Sequence, residues 1–346
     1  MKIGIPKEIK TAERRVALTP KACEALVQAG AEVYLETLAG DEAGFADWAY
    51  QAVGVGLVKD ATALYQEAQL VVKVKEPQPS EWADLRPDQQ LFCYLHLGGD
   101  PKLCQALKNI GLKAYGFETV GQGGETPLLA PMSAIAGRLS VQLGARFLHR
   151  VKGGRGTLLG GVNGHPAGQV CVLGGGVAGR EAATIALGQG AKVTLLDLNA
   201  DRLSQLKKEL PNLQVALNQG NILEELLPNT DLLIGAVYLK GKKAPLVVSK
   251  ALLGLLPKGA VAVDIAIDQG GCFWNPRPCT HEDPFYIERG ILRSAITNLP
   301  AAVPQTASEM LSAAILPYVK ALALGWELPG LKEGLNLEAG NLKIEL

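Results

Sequence analysis

The stretch from Gln169 to Asp197 constrains this chain more than any other. An apolar run, QVCVL, passes directly into Gly174, Gly176 and Gly179 spaced G-x-G-x-x-G, then into the helix-like REAATIALGQGA and a second apolar run, KVTLLDL. In that setting the three glycines have separate tasks: a tight turn, close approach of a pyrophosphate to the main chain, and close packing of helix on strand. The helix start also offers N–H groups and the positive end of its dipole to phosphate. Asp197 ends the second run, where a carboxylate accepts hydrogen bonds from an adenosine ribose and repels a 2′-phosphate. The cofactor expected is therefore NAD, with Arg202 as the neighbouring residue that argues mildly for NADP.

The rest of the chain repeats this alternation, which predicts an α/β fold with parallel sheets covered by helices. At 346 residues there is material for about two domains. Strands are expected at 1–5, 32–36, 69–75, 90–94 and 113–117, with a helix opened by Thr19 as N-cap and Pro20 and stopped by Gly30. A long helix from near Pro131 joins this unit to the next. The glycine-rich 151–168 reads as loops or a hairpin, a structural excursion or subunit contact. Further strands are expected at 231–237 and 260–268. A helix over 304–324, interrupted at Pro317, then carries the chain back. The nucleotide domain, 129–304, is thus expected as an insertion in a discontinuous substrate domain, 1–128 and 305–346.

Composition removes several function classes. Lys plus Arg and Asp plus Glu both number 34, so no net field favours nucleic acid or an anionic membrane. The apolar runs are short of the ~20 residues that span a bilayer. The N-terminus, MKIGIPKEIK, has no apolar signal core, so a cytoplasmic location is expected. Six scattered cysteines, several in apolar runs, predict buried thiols and no disulfides. Cys272, Cys279 and His281 lack a metal-site spacing, so no metal is expected.

Four histidines leave few candidates for proton transfer. His149 and His165 read as surface or capping residues. His96 follows LFCYL and precedes Gly98 and Gly99, at the carboxyl edge of a sheet where α/β proteins bind ligands. Lys75 ends VVKVK at the same edge, sharing a face with Lys73, and strand termination is expected to free it. Arg15, in ERRVALTP, adds a second cation. Asp264 and Asp268, in VDIAIDQGG, end the last strand of the nucleotide domain. Two cations, an imidazole, a carboxylate and NAD fit a dehydrogenase of a small carboxylic substrate.

These segments, together with LLAPMS, VLGGGVAG and NLPAAVPQT in order, closely resemble the bacterial NAD-dependent alanine dehydrogenases, from residue 1 to about 326. The resemblance implies two Rossmann-like domains with a cleft between them, a homohexamer, and reversible oxidative deamination of L-alanine to pyruvate and ammonia. By matching motif, it implies that Arg15 and Lys75 bind the substrate, His96 is the acid/base, and Asp268 orients water or ammonia. It assigns cofactor contacts to Ser133, Gly174, Gly176, Val177, Asp197, Asn298 and Leu299. Departures fall at Gly98 and Gly99, at Ala134, at 306–311 and at the terminal LKIEL, where a further helix is expected. Alternatives are a dehydrogenase of another small amino acid or an opine, and a non-catalytic NAD-binding component like the nicotinamide nucleotide transhydrogenases.

Overall fold

Short β-rich runs separated by helices pair into one sheet, and six of them do so here before residue 117, with the sixth strand inside the sheet and the third at its edge. The computed structural model describes residues 1–121, 123–239 and 243–345. Its first strands are β1 (Lys2–Ile5), β2 (Glu32–Glu36), β3 (Gly56–Val58), β4 (Leu70–Val72), β5 (Gln90–Cys93) and β6 (Lys113–Gly116), all paired in parallel. Ile3, Ile5, Leu70 and Val71 are fully buried, as strands covered on both faces require. Next come β7 (Gln169–Leu173), β8 (Lys192–Asp197), β9 (Gln214–Leu217), β10 (Leu232–Gly235), β11 (Val261–Asp264), β12 (Tyr286–Glu288) and β13 (Ile291–Ser294). Last are β14 (Leu335–Glu338) and β15 (Asn341–Leu342).

Contacts divide the chain into one unit of Met1–Met132 with Ala301–Leu346, and another of Ser133–Pro300. In the first, the strand order is β15-β14-β6-β5-β4-β1-β2-β3; in the second, β12-β13-β11-β10-β7-β8-β9. Each order reverses direction beside its first strand, between β1 and β4 and between β7 and β10. A crevice opens at the carboxyl ends of strands at such a switch point.

Several elements differ from sequence expectation. The helix Pro20–Val27 starts at Pro20, but Thr19 makes no side-chain cap bond; its hydroxyl instead lies 3.2 Å from Ser312 Oγ. Strand β4 stops at Val72, three residues before Lys75, and β11 stops at Asp264, with Asp268 in the 3-10 turn Ile265–Gln269. Pro317 does not interrupt its helix, Pro304–Leu324. That helix is long and apolar enough by composition to cross a membrane, yet Leu311, Ile315 and Val319 are fully buried and Ser308 and Ser312 accept the Val16 and Thr19 N–H groups. It is a core helix of the first unit. The 151–168 excursion holds a single bridge, Val162 to His165, and is fastened by Arg155 to Asp231 at 2.9 Å.

Candidate active site

In the first unit the chain leaving β1 and the chain leaving β4 meet at the switch point, and both carry charge. Arg15 is only 2% exposed. Glu13 grips it along one edge, with Nε donating to Oε1 at 2.7 Å and Nη2 donating to Oε2, and Nη1 lies 3.0 Å from Met132 Sδ. Burial acts against this charge, but Glu13 outweighs it and holds the guanidinium above its ordinary pKa. A cation fixed in a dry site is suited to a carboxylate ligand.

Lys75 is not freed at a strand end as expected; it is 9% exposed, because the chain beyond Val72 stays inside the unit. Lys73 is deeper still, with Nζ 2.8 Å from Glu81 Oε1 and 3.4 Å from Glu8 Oε2. Burial works against the Lys73 ammonium, and the two carboxylates more than offset it.

His96 lies beyond the end of β5 and is exposed, in a left-handed conformation at φ 48 and ψ 39 just before the 3-10 turn Leu97–Gly99. For a non-glycine residue that backbone needs support from its surroundings. Glu118 supplies it by accepting the His96 N–H at 2.6 Å and the Leu95 N–H at 3.2 Å. The imidazole stacks on Tyr94 at 5.9 Å between centroids, and Tyr94 in turn donates to the Leu128 carbonyl at 2.6 Å. Arg15 also acts on Tyr94, so the imidazole, the phenol and the guanidinium belong to one neighbourhood.

In the second unit, main chain makes the site. Gly174 sits at φ +98, and a Cβ there would lie 2.5 Å from the Ala236 carbonyl oxygen. A Cβ on Gly179 would fall against the Gly174 carbonyl, far inside contact distance, whereas one on Gly176 would meet nothing within 4 Å. The helix Val177–Gly188 has no side-chain cap bond at Gly176. Closed turn, open space and uncapped helix start together fit a pyrophosphate.

Asp197 is 8% exposed and already engaged: Oδ2 accepts the Gly175 N–H at 2.6 Å, Oδ1 the Asn199 N–H at 2.8 Å, and Arg202 Nη1 lies 3.1 Å from Oδ2. Burial would raise its pKa, but these donors outweigh burial and hold it below the usual carboxylate range. The carboxylate thus locks the glycine turn, and a ribose hydroxyl would join a set of donors that includes the half-exposed Arg202. Val177, 42% exposed, stands in the first turn of the helix. Ser133 lies one turn before Gly137, whose missing Cβ admits the Ala178 carbonyl. Asp268 accepts the Asn298 N–H at 3.2 and 3.3 Å, with Asn298 left-handed at φ 53 and Leu299 buried beyond it. Asp264 anchors this loop, accepting from the Ala266, Cys272 and Phe273 N–H groups.

Arg15, Lys75 and His96 therefore share the first unit, while Asp268 and the nucleotide-binding candidates share the second. Glu8, Glu13, Tyr94 and Glu118 escaped sequence reasoning, because each acts through a contact that no spacing announces. Among the described residues no group of three or more His, Cys, Asp or Glu could hold a metal ion, and all six cysteines are free and buried.

Residues 4–136 match the family model described as alanine dehydrogenase/PNT, N-terminal domain, and residues 140–343 its C-terminal counterpart. An alanine dehydrogenase of Halomonas elongata is 43% identical over 350 residues, covering 99% of this chain and 94% of that protein. A solved L-alanine dehydrogenase superposes with a TM-score of 0.94 at 44% identity, covering 99% of this chain and 97% of that one. A transhydrogenase from Sinorhizobium meliloti, 20% identical and covering 99% of both chains, shares the fold with a TM-score of 0.85.

Proposed function

The chain belongs to the alanine dehydrogenase/PNT family, and from that premise we propose that it interconverts L-alanine with pyruvate and ammonia, using NAD. The observation that carries the reading is the Arg15 guanidinium, buried and doubly held by Glu13. It is a rigid receptor for a small carboxylate.

Gly174, Gly176, Val177 and Gly179 would hold the pyrophosphate, Asp197 and Arg202 the adenosine ribose, and Ser133, Asn298 and Leu299 the remainder of the cofactor. When bound, NAD supplies the acceptor for the hydride leaving the alanine Cα. Arg15 and Lys75 bind the substrate carboxylate and carbonyl oxygen; the Met132 thioether at Arg15 Nη1 is a weak acceptor that a carboxylate oxygen displaces. His96 exchanges a proton with the oxygen as imine and ketone interconvert, a task suited to an imidazole. Asp268 orients the attacking water or ammonia. In the forward direction L-alanine, water and the oxidised cofactor give pyruvate, ammonium, the reduced cofactor and a proton.

NAD is favoured over NADP by Asp197, whose carboxylate would face a 2′-phosphate. The exposed Val151, Leu158 and Val162 of the 151–168 excursion support a subunit contact there, consistent with a homohexamer. Six unpaired thiols among the described residues suit a reducing, cytoplasmic compartment.

The test is NADH oxidation with pyruvate plus ammonia, with pyruvate plus a primary amino acid, and with glyoxylate plus ammonia. Turnover requiring both pyruvate and ammonia is expected. Faster turnover in the amino-acid arm would assign an opine dehydrogenase, and none in any arm would leave a non-catalytic NAD-binding protein.

A further inference from the structure

The reaction scheme leaves Glu8, a buried acid of the first unit, unused. Glu8 lies in the chain after β1, and its side chain is 4% exposed. Its Oε1 accepts the Val74 N–H at 2.6 Å and the Lys75 N–H at 3.3 Å, just where β4 has ended. Its Oε2 lies 3.4 Å from Lys73 Nζ. The charged or titratable groups that act on it or feel it are Lys73 beyond β4, Glu81 from the turn Pro79–Glu81, Glu13 and Arg15 from its own loop, Tyr65 before β4, and Cys93 at the end of β5. Glu36 on β2 completes the ring through Lys73.

Charge counting makes the arrangement informative. Lys73, Lys75 and Arg15 bring three positive charges to the switch point, Glu8, Glu13 and Glu81 bring three negative ones, and the half-buried Glu36, which accepts the Lys7 N–H at 2.8 Å, adds a fourth. A substrate carboxylate arriving at Arg15 and Lys75 is a further anion in a dry place, where net charge is costly. Glu13 is committed to Arg15, and Glu81 to Lys73, Tyr65 and the Gln78 N–H. Glu8 is the acid that gives up least on taking a proton: Oε1 still serves the two N–H groups, and the long Oε2 contact to Lys73 is lost while Glu81 keeps that ammonium paired at 2.8 Å.

We propose that Glu8 balances charge in the substrate site: it takes up a proton as the substrate carboxylate binds, so that affinity for a 2-oxo acid is set by the protonation of a residue that never touches it. This rests on the reading of Arg15 and Lys75 as substrate ligands. Burial pushes the Glu8 carboxyl up to about 7, with Glu13 adding to the rise and Lys73 and the Val74 N–H opposing it. The proton is therefore available near neutrality. The sign follows: neutral Glu8 favours the anion, ionised Glu8 opposes it, and affinity falls as pH rises through this range.

The experiment measures pyruvate binding by NADH fluorescence, without ammonia, on NADH-loaded His96→Ala protein, which removes the imidazole as a competing titrating group. Pyruvate Kd should rise at least ~fivefold between pH 6.5 and 8.5, one pKa unit corresponding to a factor of ten. Adding Glu8→Gln, an amide that imitates the neutral acid, should abolish the rise and keep the tight, low-pH affinity at pH 8.5. A flat wild-type-Glu8 profile, an unchanged slope in the amide variant, or equal weakening at both pH values would overturn the proposal. Should the amide variant not fold, calorimetry of pyruvate binding at pH 7 in two buffers of different ionisation enthalpy decides it: proton uptake supports the proposal and none overturns it. Lys75→Ala separates this inference from its premise. Unaltered pyruvate affinity in Lys75→Ala sinks the substrate site itself, whereas lost affinity with no Glu8 effect sinks only the charge balance.

Discussion

The two units share an architecture and differ in what they build at its switch point. Beside β7 the second unit presents main chain: a glycine turn held shut by Asp197, and a helix start without a side-chain cap. Beside β1 the first unit presents buried side chains, among them Arg15, held by Glu13 two residues away, Lys73, held by Glu81 and Glu8, and Lys75. A backbone site recognises a group that every nucleotide cofactor carries. A site of buried charges recognises one small anion and governs its chemistry. The same kind of switch point is thus built of main chain in one unit and of charged side chains in the other.

The sharpest way to break this division is to damage each site at its own level. His96→Ala should lower turnover at least ~100-fold, within the range general acid–base catalysis contributes, and leave NADH affinity near normal. Gly179→Ala should do the reverse, because its Cβ would strike the Gly174 carbonyl and force the turn open. NADH affinity should fall at least ~100-fold, with turnover lost in consequence. Fluorescence titration of NADH beside steady-state rates reads both. Normal turnover in His96→Ala, or normal NADH affinity in Gly179→Ala, would erase the distinction.

A smaller effect is expected where the second unit uses a side chain. Asp197→Ala removes the charge facing the ribose and also the acceptor of the Gly175 N–H. Preference for NAD over NADP, measured as a ratio of kcat/KM, should narrow by about tenfold, as one charge interaction in a partly desolvated site allows. Arg202, released from its ion pair, would then meet the 2′-phosphate. An unchanged ratio would mean that Asp197 only holds the turn.

How far the sequence disclosed each site follows from the same contrast. The glycine turn and Asp197 lie within one strand-helix-strand unit, so their spacing carries the geometry; β7 falls where periodicity puts it, β8 ends one residue early, and the helix runs over Val177–Gly188 instead of 180–191, because Gly179 already belongs to its first turn. In the first unit the sequence points to Arg15, Lys75 and His96, but not to the acids packed around them. Glu8 and Glu13 stand in a charged stretch, PKEIKTAERR, that reads as solvated surface. Their burial comes from tertiary packing around β1 and β4, which no local pattern encodes. The same packing explains why Lys75 is enclosed although its strand has ended. Asp268 lies one element beyond the strand that the apolar pattern predicts, for a local reason: Asp264 caps a 3-10 turn that ends β11 early.

The subtlest comparison uses two glycines at which an added Cβ would meet nothing within 4 Å, Gly98 in the first unit and Gly176 in the second. Neither has positive φ, so alanine fits the backbone of both and reduces the freedom of the unfolded chain. Gly98→Ala should therefore melt at or slightly above the temperature of the parent protein, and Gly176→Ala, at a helix N-cap where alanine is less favoured than glycine, should fold and melt at or slightly below it. Their functions should part. The space at Gly176 is where the pyrophosphate must approach the main chain, so Gly176→Ala should weaken NADH several-fold despite intact folding. The space at Gly98 adjoins the exposed His96, so Gly98→Ala should leave NADH affinity unchanged and shift only the KM for pyruvate, by about twofold. Equal NADH affinities in the two variants would show that the open volume at Gly176 is plain solvent, and that the second unit does not read its cofactor through bare main chain.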